Sequence, residues 1–241
     1  MNHQSPPHKA SFRPNMSMDY FYTGIFLITV FILFSTVIFL TNNRVLPEGQ
    51  FLMDFDEQVV VYFSLLHNSY LDSLMKLVSD YGREFFWIFV ILVCFVFAGY
   101  HGKMISVVIV FSLLIVIPFN SLAKEMSDRD RPPIHLLDVL SEKQEDKSYP
   151  SGHASVVAVG ITAFGLFLKK TKRNLLIFSG LVLEALLVFI SRIYLGVHYP
   201  TDVIGGIILG SGITLFVSTF YTVYLRVIYM IFSKITKKKH L

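Results

Sequence analysis

Six apolar runs decide what this chain can fold into: Phe21 to Leu40, Phe85 to Tyr100, Met104 to Leu122, Ser151 to Leu168, Asn174 to Tyr194 and Pro200 to Tyr224. About 20 apolar residues cross a bilayer as a helix. In hydrocarbon only a helix or a closed barrel pairs every backbone N–H and C=O. The composition agrees: 54% of the 241 residues are hydrophobic, 16% are charged, and mean hydropathy is +0.59. A soluble domain is apolar over about 45–50% of its residues even with glycine counted. The sequence therefore predicts an all-α integral membrane protein with six transmembrane helices in one bundle. The first run is long for a signal-peptide core and leads into Thr41-Asn42-Asn43-Arg44 rather than a small-residue cleavage site, so it reads as a mature span.

Between the first two runs, residues 41–84 are mixed. Val59-Val60-Val61-Tyr62-Phe63, Leu65, Leu66, Leu71, Leu74, Met75, Leu77 and Val78 recur at near-helical spacing among acidic residues, the pattern of short helices lying at the interface. Residues 1–19 are polar and rich in Pro, Ser and His and read as a disordered cytoplasmic tail. Residues 20–225 form the membrane domain, and 226–241 a basic cytoplasmic tail. Pro118 is expected to kink the end of the third span. Cys94 is the single cysteine, which leaves no internal disulfide and no cysteine-based metal site.

The net charge of +4 comes without a nucleic-acid-binding motif, and the partners expected are membrane lipids. An even span count puts both chain ends on one side, together with loops 99–103 and 169–173. That side carries Lys9, Arg13, Lys103, Lys169, Lys170, Lys172, Arg173, Arg226, Lys234, Lys237, Lys238 and Lys239, against Asp19 as its acid. Basic residues in short loops mark the cytoplasmic face. The expectation is a multi-pass protein of the cell membrane whose loops 41–84, 122–149 and 195–199 lie outside the cytoplasm.

Three polar clusters fall on that outer side. In Ser191-Arg192-Ile-Tyr-Leu-Gly-Val-His198-Tyr-Pro200-Thr-Asp202, Pro200 suits the first turn of a new helix and Asp202 falls within that turn. The carboxylate can hold one nitrogen of His198 and leave the other free as nucleophile, base or ligand. Arg192 adds a planar fork of donors suited to an anion. In Pro150-Ser151-Gly152-His153, Ser151 suits a helix N-cap. Gly152 lets a bound group approach the backbone, the helix N-terminus suits a phosphate, and His153 is placed to donate a proton. In the third cluster, Lys124 and Arg131-Pro132 are seven residues apart, two turns of a helix, and are expected to share one face. Singly, each cluster also fits an ordinary charged loop or a capped helix. Together they describe a phosphate cage of three cations, a helix N-terminus and two histidines.

The three segments, Lys124-(six residues)-Arg131-Pro132, Pro150-Ser151-Gly152-His153 and Ser191-Arg192-(five residues)-His198-(three residues)-Asp202, resemble the tripartite signature of the type 2 phosphatidic acid phosphatase family, in order and with its internal spacings. The resemblance covers residues 85–225 and implies a lipid phosphate phosphatase that needs no metal or other cofactor. It implies that His198 attacks phosphorus to form a phosphohistidine, that Asp202 orients it, and that His153 protonates the leaving oxygen and later activates water. Lys124, Arg131, Arg192, Ser151 and Gly152 would hold the phosphoryl oxygens. Arg129 is a rival to Arg131, but the spacing selects Arg131; the acidic spacer Glu-Met-Ser-Asp-Arg-Asp has no assigned role. Implied substrates are polyprenyl diphosphates such as undecaprenyl diphosphate, phosphatidylglycerophosphate or phosphatidic acid. A lipid phosphotransferase and a non-enzymatic lipid or anion transporter stand as alternatives, and oligomeric state is open.

Other ionisable residues are expected to be structural. Glu184, inside the fifth run, is expected in the bundle interior, about 12 Å along the helix from Arg192. His67, His101 and His135 read as loop or interface histidines. Asp138, Glu142, Glu145 and Asp146 lack metal-ligand spacing and read as a solvated loop.

Overall fold

Every apolar run becomes a helix. A computed structural model describes residues 14–133, 146–169, 171–221, 223 and 224, and for residues 14–17 the backbone alone. In chain order the helices are α1 (Pro14–Asn42), α2 (Gln50–Ser64), α3 (Ser69–Tyr81), α4 (Glu84–Phe97), α5 (Gly99–Ser127), α6 (Gly152–Phe167), α7 (Lys172–Tyr194) and α8 (Pro200–Ser218), with one 3-10 turn at Pro47–Gly49. The described residues contain no strand.

Four stretches are long and apolar enough to cross a bilayer by themselves: Met18–Asn42 of α1, and all of α5, α7 and α8. Helices α4 and α6 are as apolar but only 14 and 16 residues long. Helices α2 and α3 occupy the segment expected to hold interfacial helices. Two boundaries differ from expectation. Helix α1 already begins at Pro14, inside the segment read as tail, and residues 1–13 and 225–241 lie outside the described residues. Helix α5, with Pro118 inside it, continues past Leu122 to Ser127 and so carries Lys124 as helix.

Helix α8 packs most extensively on α1 and α6. Glycines allow the α6 contact. A Cβ on Gly206 would stand 2.5 Å from the Ser151 carbonyl oxygen, and one on Gly210 2.3 Å from that of Ser155. The core between the helices is apolar, with Ile105, Ile109, Val116, Val157, Val159, Leu209 and Ile213 buried. Large apolar side chains on the outer faces of α1 and α7, among them Phe26, Leu33, Leu175 and Leu176, are exposed. Exposed apolar surface of this extent suits lipid. The antiparallel alternation brings the ends of α5 and α7 and the starts of α6 and α8 together at one end, where α2 and α3 pack against α7.

Candidate active site

The turn between α7 and α8 carries His198. Gly196 takes a positive φ of 61° there, which a side chain would strain. Pro200 occupies the first turn of α8, and Asp202 accepts a hydrogen bond from the Tyr199 N–H at 2.8 Å, closing the helix start. The same carboxylate oxygen stands 3.4 Å from His198 Nδ1, with both side chains buried. That is long for a hydrogen bond. The Ser148 hydroxyl also donates to this oxygen.

The other Asp202 oxygen belongs to Arg129. Nη1 of Arg129 donates to it at 2.7 Å and to the Thr201 hydroxyl at 2.7 Å, while Nη2 donates to Asp56 of α2 at 2.6 Å. The Thr201 N–H and hydroxyl both donate to Asp56, and the guanidinium lies 4.1 Å over the Tyr199 ring. Burial disfavours the charged guanidinium, but the Asp202 and Asp56 carboxylates outweigh it and hold its pKa above the ordinary value. Arg129 is therefore a buried strut that fixes Asp202. Losing one partner of such a network leaves an uncompensated buried charge, at about 3–5 kcal/mol. Asp56 and Thr201 escaped the sequence reading because their partner lies more than 70 residues away.

Arg131 takes the opposite course. Its Nη1 donates to the Val197 carbonyl at 2.5 Å and lies 3.4 Å from His198 Nε2. The expectation that Lys124 and Arg131 share a helix face fails. Asp128 enters the left-handed region at φ 45° and ends α5, so Arg131 reaches the site from the following loop. The two cations nevertheless meet on one carboxylate, Asp146. Lys124 pairs with one oxygen, and Arg131 donates to the other at 2.6 Å and to the Asp146 carbonyl at 2.9 Å. The acidic spacer also finds work, since Asp128 and Asp130 hold Lys147 at 2.7 and 2.9 Å. Arg192 is buried at the end of α7 and donates to the Ser79 hydroxyl of α3.

Ser151 caps α6, accepting from the Ala154 N–H at 3.5 Å, while its own N–H donates to the Asp202 carbonyl at 2.9 Å, which ties the two helix starts together. A Cβ on Gly152 would make only ordinary contact with Asn120 Oδ1 at 3.6 Å and Arg83 Nη1 at 3.9 Å, and Gly152 lines a cavity at this helix start. His153 is buried one residue further, with Arg83 Nη1 3.4 Å from its Nδ1.

Electrostatics favour an uncharged His198. Burial, then the charges of Arg131, Arg192 and Lys124, push its pKa well below the ordinary value. Burial would raise the pKa of Asp146, but its hydrogen bonds and ion pairs with Lys124 and Arg131 bring it down to about 2. Asp146 is thus no idle loop acid. His67, between α2 and α3, stacks on Tyr194 with ring centroids 4.5 Å apart and pairs with Asp72 at 2.9 Å. Glu184 faces Gly82, and both its carboxyl oxygens are buried without a hydrogen-bond partner among the described residues. His135, Asp138, Glu142 and Glu145 lie outside the described residues. Among those described, no three His, Cys, Asp or Glu are grouped to hold a metal ion.

The chain is 38% identical over 149 residues to an undecaprenyl-diphosphatase of Sulfolobus acidocaldarius, an overlap of 60% of this chain and 68% of that one. It is 39% identical over 98 residues to phosphatidylglycerophosphatase B of Bacillus subtilis, 38% of this chain and 45% of that protein. Its fold matches the crystal structure of a transmembrane PAP2-type phosphatidylglycerolphosphate phosphatase from Bacillus subtilis with a TM-score of 0.63 at 25% identity, over 83% of this chain and 96% of that one. The model of the PAP2 superfamily matches residues 105–226, half of the sequence, and the chain belongs to that superfamily.

Proposed function

We propose that this protein is an integral membrane phosphatase that hydrolyses lipid phosphates through a phosphohistidine. The observation that carries the reading is the approach of Arg131 to within 3.4 Å of His198 Nε2, the nitrogen turned away from Asp202, while Asp202 stands behind Nδ1. Nε2 attacks phosphorus, the N–P bond forms, and the P–O bond to the leaving group breaks as His153 gives that oxygen a proton. His153 then takes a proton from water, which attacks phosphorus, releasing inorganic phosphate and free His198. Lys124, Arg131, Arg192, the Ser151 hydroxyl and the Gly152 N–H hold the three non-bridging oxygens as their charge redistributes. Asp202 stabilises the positive charge the imidazole gains on attack.

A cavity of about 380 Å³ between α4, α5 and α6 supports a lipid substrate. Arg83, Lys124, Asp146 and Gly152 line its polar part, and Trp87, Ile88, Ile91, Leu113, Val116 and Ile117 its apolar part. Ile91 is about 12 Å along α4 from Arg83, and Leu113 about 16 Å along α5 from Lys124. A tail can therefore stay among apolar side chains while its phosphate reaches the cations. In this reading α4 and α6 also span, making six, and the site lies on the extracytoplasmic face. Candidate substrates are polyprenyl diphosphates, phosphatidylglycerophosphate and phosphatidic acid.

The test is phosphate release from a panel of lipid phosphates by the detergent-solubilised protein. His198→Ala should lower the rate by about 1,000-fold or more, and acid-labile phosphate should be trapped on the wild-type chain but not on the variant. Full turnover in His198→Ala would overturn the mechanism. Phosphoryl transfer to an added alcohol without phosphate release would establish the transferase instead, and binding without turnover the transporter.

A further inference from the structure

Arg83 belongs to none of the three clusters, yet it reaches the site. It stands in the two-residue junction between α3 and α4, so helices on both sides fix its backbone. Its Nη1 lies 3.4 Å from His153 Nδ1, and it shares the cavity with Lys124 and Gly152. Its Nε is buried without a hydrogen-bond partner among the described residues, and Nη2 pairs with Glu84, a half-exposed neighbour. The fork is thus only partly satisfied by protein groups and borders free space.

The position of this cation relative to the two histidines determines its use. Lys124, Arg131 and Arg192 act on His198, the nucleophile of the proposed reaction. Arg192 also acts on His153, the proton donor, but Arg83 is the cation whose Nη1 stands 3.4 Å from its Nδ1, which puts Arg83 on the leaving-group side. A departing alcohol takes up its proton and carries no charge for a guanidinium to hold. A departing phosphate ester does carry charge, and a planar fork of donors matches phosphate oxygens. An N–H facing Nδ1 also favours the His153 tautomer with its proton on Nε2.

We propose that Arg83 forms a subsite for a second phosphate, which makes lipid diphosphates the preferred substrate class. This rests on the phosphatase reading above. His198 Nε2 bonds to the terminal phosphorus, and the bond from that phosphorus to the bridging oxygen breaks. Its electron pair stays on the bridging oxygen, which leaves as part of a lipid monophosphate held by Arg83 and protonated by His153. Water then cleaves the phosphohistidine to inorganic phosphate.

The experiment compares farnesyl diphosphate with farnesyl monophosphate, which share one tail, as initial rates in detergent for wild type, Arg83→Gln and Arg83→Lys. In Arg83→Gln the ratio of diphosphate to monophosphate kcat/KM should fall by about 10- to 100-fold, and Arg83→Lys should restore part of it. Equal losses on both substrates would overturn the subsite and leave Arg83 as a positioning residue for His153. An unchanged ratio with unchanged rates would overturn it too. Turnover of the monophosphate in the same preparation shows that the variant is folded. A wild-type protein inactive on both would instead overturn the phosphatase reading on which the subsite depends.

Discussion

Lys124 and Arg131 share the carboxylate of Asp146, so two groups proposed to grip phosphate are already paired within the chain, with one negative charge between them. With a pKa near 2, Asp146 stays charged at any pH at which the protein would be assayed. Its depressed pKa marks a favourable interaction that is lost only in strong acid. We predict that an entering phosphate displaces this carboxylate, and that the displacement weakens phosphate binding. Asp146→Asn keeps the shape and removes the charge, so the inhibition constant for inorganic phosphate should fall by about 3- to 10-fold. Looser phosphate binding in the variant would contradict the idea and show that Asp146 aligns the two cations. Arg129, two residues from Arg131, illustrates the opposite use of a cation: buried between Asp56 and Asp202, it orients the site without facing it.

Among the elements, the approach of α6 to α8 matters most, because these helices begin at Gly152 and Pro200 and carry His153 and Asp202. Gly210 sits where a Cβ would come 2.3 Å from the Ser155 carbonyl oxygen, and the Ser155 hydroxyl accepts from Asn120 of α5 at 2.9 Å. Pushing α8 away therefore disturbs three helices at once. Gly210→Ala should destabilise the protein by about 1–3 kcal/mol, read as a lower melting temperature in detergent with a matching loss of phosphate release. Gly180→Ala is the control, since a Cβ on Gly180 meets nothing within 4 Å. If both variants melt with the wild type, the close approach of α6 and α8 is not what holds the site together.

For the whole molecule, the alternation of helices gathers the reactive residues at one end, and the basic loops lie at the other. The excess of Lys and Arg at residues 169–173 and in the terminal segments predicts that the chain ends face the cytoplasm and His198 faces out. In a Cys94→Ser background, a membrane-impermeant thiol reagent added to intact cells should label Gln58→Cys, exposed on α2, and leave Thr171→Cys, exposed before α7, unlabelled. The reverse pattern would place the site in the cytoplasm and remove any role on outer-leaflet lipids.

What the sequence determines by itself is local. Apolar runs dictate helices because the bilayer demands paired backbone groups, and Ser151 and Pro200 mark helix starts because capping acts over three or four residues. The spacing of the family it resembles selects Arg131 over Arg129; in the structure Arg131 Nη1 lies 3.4 Å from His198 Nε2, while Arg129 pairs with Asp56 and Asp202. Only the tertiary structure decides what crosses between helices. The left-handed Asp128 ends α5 before the helical spacing of Lys124 and Arg131 can apply. Asp56 becomes the partner of Arg129, Arg83 reaches His153, and Asp146 closes on two cations through pairings 15 to 73 residues apart. Those pairings depend on how helices pack in three dimensions, and separation along the chain carries no record of it.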